Sequence, residues 1–135
     1  MPLGAFIASR EIILTLTNNP VLGHITTFGG HPVSCAAGHA AFQALLDEDL
    51  IKDVHAKGQL FVQYLHHPAI KSVRALGLMI AVEFESFAVN KKVIDRCIER
   101  GILTDWFLFA AECMRIVPPL IITREEIKWA CGVII

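Results

Sequence analysis

Apolar and polar positions change period along the chain, and those changes mark out its elements. Leu50, Val54, Gly58, Phe61 and Leu65 recur at steps of three and four, one stripe along a helix. That helix is expected to start at Asp47 or Glu48 and to end near His67-Pro68. The period then drops to two. Leu78, Ile80, Val82 and Phe84 alternate with Met79, Ala81, Glu83 and Glu85, which predicts a strand with one face in a core. The IKSVRA segment before it is the expected hairpin partner, turning near Leu76-Gly77. Helical spacing returns through Val89, Val93, Ile94, Cys97 and Ile98, and Gly101 is placed to stop that helix in a left-handed conformation. ILTDWF and CMRIV predict two further short strands. Pro118-Pro119 ends the second, because proline has no N–H to give a ladder. Thr123 and Glu126 have capping-box spacing ahead of a last helix that runs into WACGVII.

The N-terminal part is less regular. LGAFIAS, from Leu3 to Ser9, predicts a short buried strand, with Ser9 as the cap of a helix over REIILTLT. Asn18-Asn19-Pro20, with Gly23 close behind, predicts a turn. Pro32 suits the first turn of a helix, where its missing N–H costs nothing, and that helix should reach about Leu46. Ala36, Ala37, Gly38, Ala40 and Ala41 give it so little bulk that another backbone can approach closely. The sum is an α+β fold, a small antiparallel sheet covered by helices.

Composition narrows the partners. The chain has 135 residues, about the size of one domain, with 12 Lys plus Arg against 13 Asp plus Glu. A net charge of -1 gives no electrostatic reason for nucleic acid or an anionic membrane as a partner. Hydrophobic residues make up 54%, and mean hydropathy is +0.54. Both are high, yet no apolar run approaches the ~20 residues of a membrane helix. The surplus therefore belongs in a core or an interface. The start, MPLGAFIASREII, has no basic stretch before its apolar residues, so no signal peptide is expected. Apolar residues reach both ends, the pattern expected of a piece of a larger chain. Cys35, Cys97, Cys113 and Cys131 show no CxxC spacing and read as reduced, mostly buried thiols of a cytoplasmic protein. The six histidines include His66-His67, but neighbours on a helix point apart, so no metal site is expected.

The candidate chemistry lies in HITTFGGHPVSCAAG, from His24 to Gly38. A helix N-terminus carries unpaired N–H groups and a partial positive charge that attract anions. Gly29 and Gly30 let the backbone turn sharply beside a ligand, and Thr26 and Thr27 add hydroxyl donors. Such a stretch suits a phosphate contact, though by these residues alone an ordinary loop whose threonines cap local backbone is the commoner reading.

Five ordered segments carry a resemblance: MPLGAFIAS, GHITTFGGHPVSCAAG, RALGLMIAVEF, GILTDWFLF and MRIVPPLIITREEI. They resemble the class III, fold-type I pyridoxal-phosphate aminotransferases, the acetylornithine and ornithine branch above all, over the C-terminal third or so of such an enzyme. The resemblance implies that residues 1–31 are a remnant of the large cofactor-binding domain and residues 32–135 the small domain. It implies that Thr27 donates its hydroxyl to the cofactor phosphate of the neighbouring subunit in a homodimer, and that Thr26 lies near the substrate. Arg115, the arginine of the R-x-x-PPL segment, is implied to bind a substrate carboxylate or to pair with an active-site glutamate. A planar guanidinium suits that role, since it holds a carboxylate by two parallel hydrogen bonds. Two positions depart from the family pattern: His31 stands where the family usually has Asn, and Ala75 replaces the first glycine of the RGxGLM pattern begun by Arg74.

In this family a lysine holds the cofactor as a Schiff base a few residues before the MPLGAF segment. It would precede Met1, as would the aspartate for the pyridine nitrogen and the aromatic that stacks on the ring. Lys52, Lys57, Lys71, Lys91, Lys92 and Lys128 all fit solvated helix faces or a strand end. No catalytic residue is therefore assigned within the chain, which alone is expected to be inactive. The complete enzyme is expected to pass an amino group from an ω-amino donor, acetylornithine- or ornithine-like, to 2-oxoglutarate through pyridoxal phosphate. A non-catalytic α+β module for dimerisation or ligand sensing also fits, since an alanine-rich helix and high apolar content suit self-association.

Overall fold

The computed structural model describes residues 1–19, 21 and 23–135. The chain divides into two compact units, Met1–Glu48 and Asp49–Ile135. The break expected after residue 31 falls inside the first of them.

The first unit holds helix α1 (Arg10–Leu14), a single 3-10 turn (Thr15–Thr17) and helix α2 (Pro32–Asp47). Ser9 caps α1 as expected, its Oγ accepting from the Ile12 N–H at 3.4 Å. The buried strand expected over Leu3–Ser9 does not form. Residues 1–9 are exposed and unpaired in any ladder, because a strand needs a neighbour and the described residues of this unit supply none. The turn expected after Asn18 includes Pro20 and Leu22, which lie outside the described residues; Asn19 has a φ of 46°. Helix α2 opens on Pro32 as expected and buries none of its residues.

The second unit runs α3 (Val54–Tyr64), β1 (Ile70–Leu76), β2 (Met79–Phe84), α4 (Phe87–Glu99), β3 (Asp105–Phe107), β4 (Ala110–Ile116) and α5 (Arg124–Ile134). The four strands form one antiparallel sheet in the order β1-β2-β4-β3. The expected period-two face is the core face: Leu78, Ile80, Val82 and Phe84 are all buried. They meet Phe61 and Leu65 of the α3 side, Ile94 and Cys97 of α4, and Ile127, Cys131 and Ile134 of α5. Helices thus cover one face of the sheet, in agreement with the α+β reading.

Local signals account for most boundaries. Gly77 (φ 57°) makes the β1–β2 turn, so the positive φ falls there and Ala75 stays in β1. Gly101 (φ 86°) follows α4 as expected. Thr123 and Glu126 form the full capping box of α5. Helix α3 starts at Val54, later than expected, because residues 48–53 turn, with Asp49 at a φ of 49°. It also ends sooner, at Tyr64, which leaves His66 and His67 exposed beyond the helix. Among the described residues, no helix is long and apolar enough to cross a membrane.

Candidate functional site

Thr26 and Thr27 open the first of two successive turns just before α2. The Gly29 N–H donates to the Thr26 carbonyl and the His31 N–H to the Phe28 carbonyl, both at 3.2 Å. Gly30 has a φ of 72°, which a residue with a Cβ tolerates poorly. The Thr26 side chain folds over Gly29: a Cβ on Gly29 would stand 2.7 Å from the Thr26 Oγ1. Thr27 is exposed. His31, at the N-cap of α2, offers no side-chain cap, and its carbonyl accepts from the Cys35 N–H at 2.9 Å. The first turn of α2 therefore presents N–H groups that its own cap does not satisfy.

Arg115 lies in the other unit, on β4. Strand alternation puts Met114 in the core and Arg115 on the sheet face away from the helices. It stands opposite Asp105 of β3 in register. The pair is bidentate: Arg115 Nε donates to Asp105 Oδ1 at 2.8 Å, and a terminal guanidinium nitrogen donates to Oδ2. The Asp105 hydrogen bonds and charge push the Arg115 guanidinium further up from its ordinary value. Thr104 Oγ1 donates to the Arg115 carbonyl at 2.6 Å, fastening the start of β3 to β4 at that residue. Met79, Leu103, Thr104, Asp105, Arg115 and Val117 line a cleft of about 530 Å³ here. On the same sheet face, the charges continue across β2. Arg74 Nη1 is 3.6 Å from Glu83, Ser72 Oγ donates to Glu83 at 2.7 Å, and Arg74 donates to the Cys113 Sγ at 3.5 Å.

Sequence reasoning missed the Asp105 partner. Period two puts a residue on a face, but not which residue of another strand it meets. It also misplaced Lys57. This lysine is half-buried rather than solvated, and its Nζ donates to the Leu120 carbonyl at 2.6 Å, tying α3 to the segment after β4. Asn90 is a buried polar residue on α4 whose side-chain N–H donates to the Ala111 carbonyl at 2.7 Å. Cys97, Cys113 and Cys131 are buried, whereas Cys35 is exposed. Burial pushes the Cys131 thiol up to about 12 and raises Cys97 too. Cys113 is also raised by burial, against the opposing pull of the Arg74 charge.

The fold and these segments together define a class of protein, the aminotransferases. The structure superposes on the ornithine aminotransferase of Toxoplasma gondii, a protein solved with partial occupancy of pyridoxal phosphate in its active site. The TM-score is 0.75 at 34% identity, over 92% of this chain and 30% of that one. In sequence, the chain is 37% identical to an acetylornithine aminotransferase of Haemophilus ducreyi, over 95% of this chain and 31% of the relative. It is 38% identical to an ornithine aminotransferase of Bordetella pertussis, over 87% and 30%. The model of the family "Aminotransferase class-III" matches residues 1–135, and the chain belongs to that family. Its structural neighbours are fold-type I transaminases. The chain spans about 30% of the length of the curated relatives it matches.

Members of this family depend on pyridoxal phosphate. The residues present fit the anionic end of such a group. Thr27 offers an exposed hydroxyl, Gly29 and Gly30 leave the backbone bare beside it, and the first turn of α2 adds N–H donors.

Proposed function

We propose that this chain is the C-terminal part of an aminotransferase that moves an amino group from an ω-amino donor, acetylornithine- or ornithine-like, to 2-oxoglutarate. The cofactor, when bound, supplies the electron sink for that transfer. Thr27 donates its hydroxyl to the cofactor phosphate across a homodimer, and Thr26 borders the substrate. Arg115 orients a substrate carboxylate through its planar fork. The lysine that holds the cofactor belongs to polypeptide outside this chain, so the chain alone does not transaminate. Residues 1–31 belong to the cofactor-binding domain and residues 32–135 to the small domain. The enzyme works in the cytoplasm, with neither nucleic acid nor membrane as a partner.

The observation that carries this reading is the family match along residues 1–135. The exposed Thr27 supports the phosphate role, since a buried hydroxyl could not reach a companion subunit. The open apolar surface of α2, with Val33, Phe42 and Leu46 all more than half exposed, supports the homodimer.

Two measurements test it. The complete enzyme, loaded with pyridoxal phosphate, should lose the absorbance of the aldehyde form on addition of ornithine or N-acetylornithine and regain it with 2-oxoglutarate. No spectral change with either amine would refute the donor class. Borohydride reduction of the 135-residue chain with pyridoxal phosphate, followed by peptide mass mapping, should give no stoichiometric adduct on any of its six lysines. One fully modified lysine would overturn the claim that the cofactor-holding residue lies elsewhere.

A further inference from the structure

The β3–β4 hairpin turns on Leu108-Phe109, between the paired residues Phe107 and Ala110. Turns favour Gly, Asn, Asp and Ser, whose free backbones or short polar side chains suit them. Here the turn carries a leucine and a phenylalanine at 85% and 102% exposure, so turn chemistry does not explain the choice. Residues that break a local rule in this way are expected where a site is used for something else. With Ala110, both line a cleft of about 330 Å³ on the open face of the sheet, bounded further by Ala81, Cys113 and Arg74.

Arg74 is the polar end of this cleft. Register sets it beside Ala81 of β2, and its guanidinium passes that small side chain to donate to the Cys113 Sγ of β4 at 3.5 Å. A guanidinium has five N–H donors, and a thiol is a weak acceptor. Its ion-pair partner Glu83 stands 3.6 Å away, outside hydrogen-bond range, and Ser72 of β1 donates to that same carboxylate oxygen at 2.7 Å. The Arg74 fork therefore keeps donors to spare, and 64% of the side chain is exposed. A cation with open donors at the end of an apolar trough suits a ligand of the complementary shape, an anionic head on an apolar body.

We propose that this cleft is a binding site for a small carboxylate with an apolar body. Arg74 donates to the carboxylate, the body lies on the Ala81 methyl, and Leu108 and Phe109 shield its outer side. Ala81 makes the room, since a longer side chain there would fill the floor of the cleft. The Arg74 charge is largely exposed, so it contributes only a few-fold in affinity, and the apolar walls contribute the rest. An uncharged molecule of the same shape binds at the same place, more weakly by that few-fold margin.

The test is a titration of the 135-residue chain with 3-phenylpropionate and, separately, with 3-phenylpropanol, followed by the NMR methyl signals of Ala81, Leu108 and Ala110. It is run on the parent, on Arg74→Gln and on Phe109→Ser. Both positions are exposed, and near-ultraviolet circular dichroism of Trp106, stacked edge-on against Phe87, checks the fold. In the parent the acid should shift the three methyl signals saturably and bind about two- to fivefold more tightly than the alcohol. Arg74→Gln should remove that margin and leave the alcohol unchanged. Phe109→Ser should weaken both probes, by at least about threefold. Equal affinity of acid and alcohol in the parent, or an unchanged acid affinity in Arg74→Gln, would overturn the carboxylate assignment. Unchanged affinities in Phe109→Ser, or no saturable shift of these methyl signals in the parent, would overturn the site itself.

Discussion

The two units use a similar supply of apolar residues to opposite ends. In Asp49–Ile135 they close a core: Phe61, Leu65, Ile80, Val82, Phe84, Ile94, Met114 and Ile127 are all at or below 2% exposure. In Met1–Glu48 no described residue is buried, and Phe6, Ile7, Phe28 and Phe42 all face outward. The difference lies in what each segment is given to pack against. A sheet with a period-two face and three amphipathic helices can bury its own stripe. One long helix of small residues and an unpaired apolar strand-like run cannot. The lesson is that apolar content measures how much surface must be covered, and topology decides whether the chain covers it itself. Under the proposed function, the first unit is covered by the rest of the enzyme and by its partner subunit.

Substitutions can break or sharpen this contrast. The largest effect is expected from Phe61→Ala, which removes a buried ring and should cost ~3–5 kcal/mol. Phe42→Ala, on exposed α2, should stay within ~0.5 kcal/mol in the same chain. Urea unfolding followed by tryptophan fluorescence reads the first, through Trp106 and Trp129 of the second unit, and far-ultraviolet circular dichroism, to which α2 contributes, reads the second. Equal losses would erase the distinction. Glycines within the second unit sharpen it next. A Cβ on buried Gly58 would run into the Gly77 carbonyl, so Gly58→Ala should cost ~1–3 kcal/mol. Gly132 on α5 has open space around it, and Gly132→Ala should stabilise by ~0.5–1 kcal/mol. The same melts would show the opposite signs, and a matching sign would contradict the packing described.

Thr123→Ala should cost about 1 kcal/mol through loss of the α5 cap. Its pH dependence has a definite sign. The backbone and hydroxyl hydrogen bonds of Thr123 hold the Glu126 carboxyl below its ordinary value. The stability this contributes is therefore complete above the unfolded carboxyl value and lost as the pH falls through the lower, folded one. The gap between parent and Thr123→Ala should narrow in acid. A gap that widens in acid would reverse the assignment. The smallest perturbation is chemical. A disulfide reagent should titrate one thiol, Cys35, quickly in the native chain and the other three only on unfolding. Four fast thiols would mean that the core of the second unit is open.

The second unit was largely legible in the sequence because its signals are local and agree with one another. Period two over residues 78–84, Gly77 and Gly101 as turn formers, and the Thr123–Glu126 box each name an element without reference to distant residues. What stayed hidden depends on pairings far apart along the chain. Lys57 meets a carbonyl 63 residues away, and Asp105 meets Arg115 only through strand register. Leu3–Ser9 misled for the complementary reason: its pattern is that of a strand, but none of the described residues of its unit pairs with it. At the candidate site, Thr26, Thr27 and the glycines after them were legible as a turn before a helix, and Arg115 as a carboxylate-binding type of residue. The occupant of the Arg115 fork was not.

The most direct measurement is the dissociation constant of pyridoxal phosphate from the complete enzyme carrying Thr27→Ala or Thr27→Ser. A hydroxyl bonded to a charged phosphate contributes ~1.5–3 kcal/mol, so the alanine variant should bind the cofactor roughly ten- to a hundredfold more weakly and the serine variant nearly as well as the parent. An unchanged constant in Thr27→Ala would contradict the account.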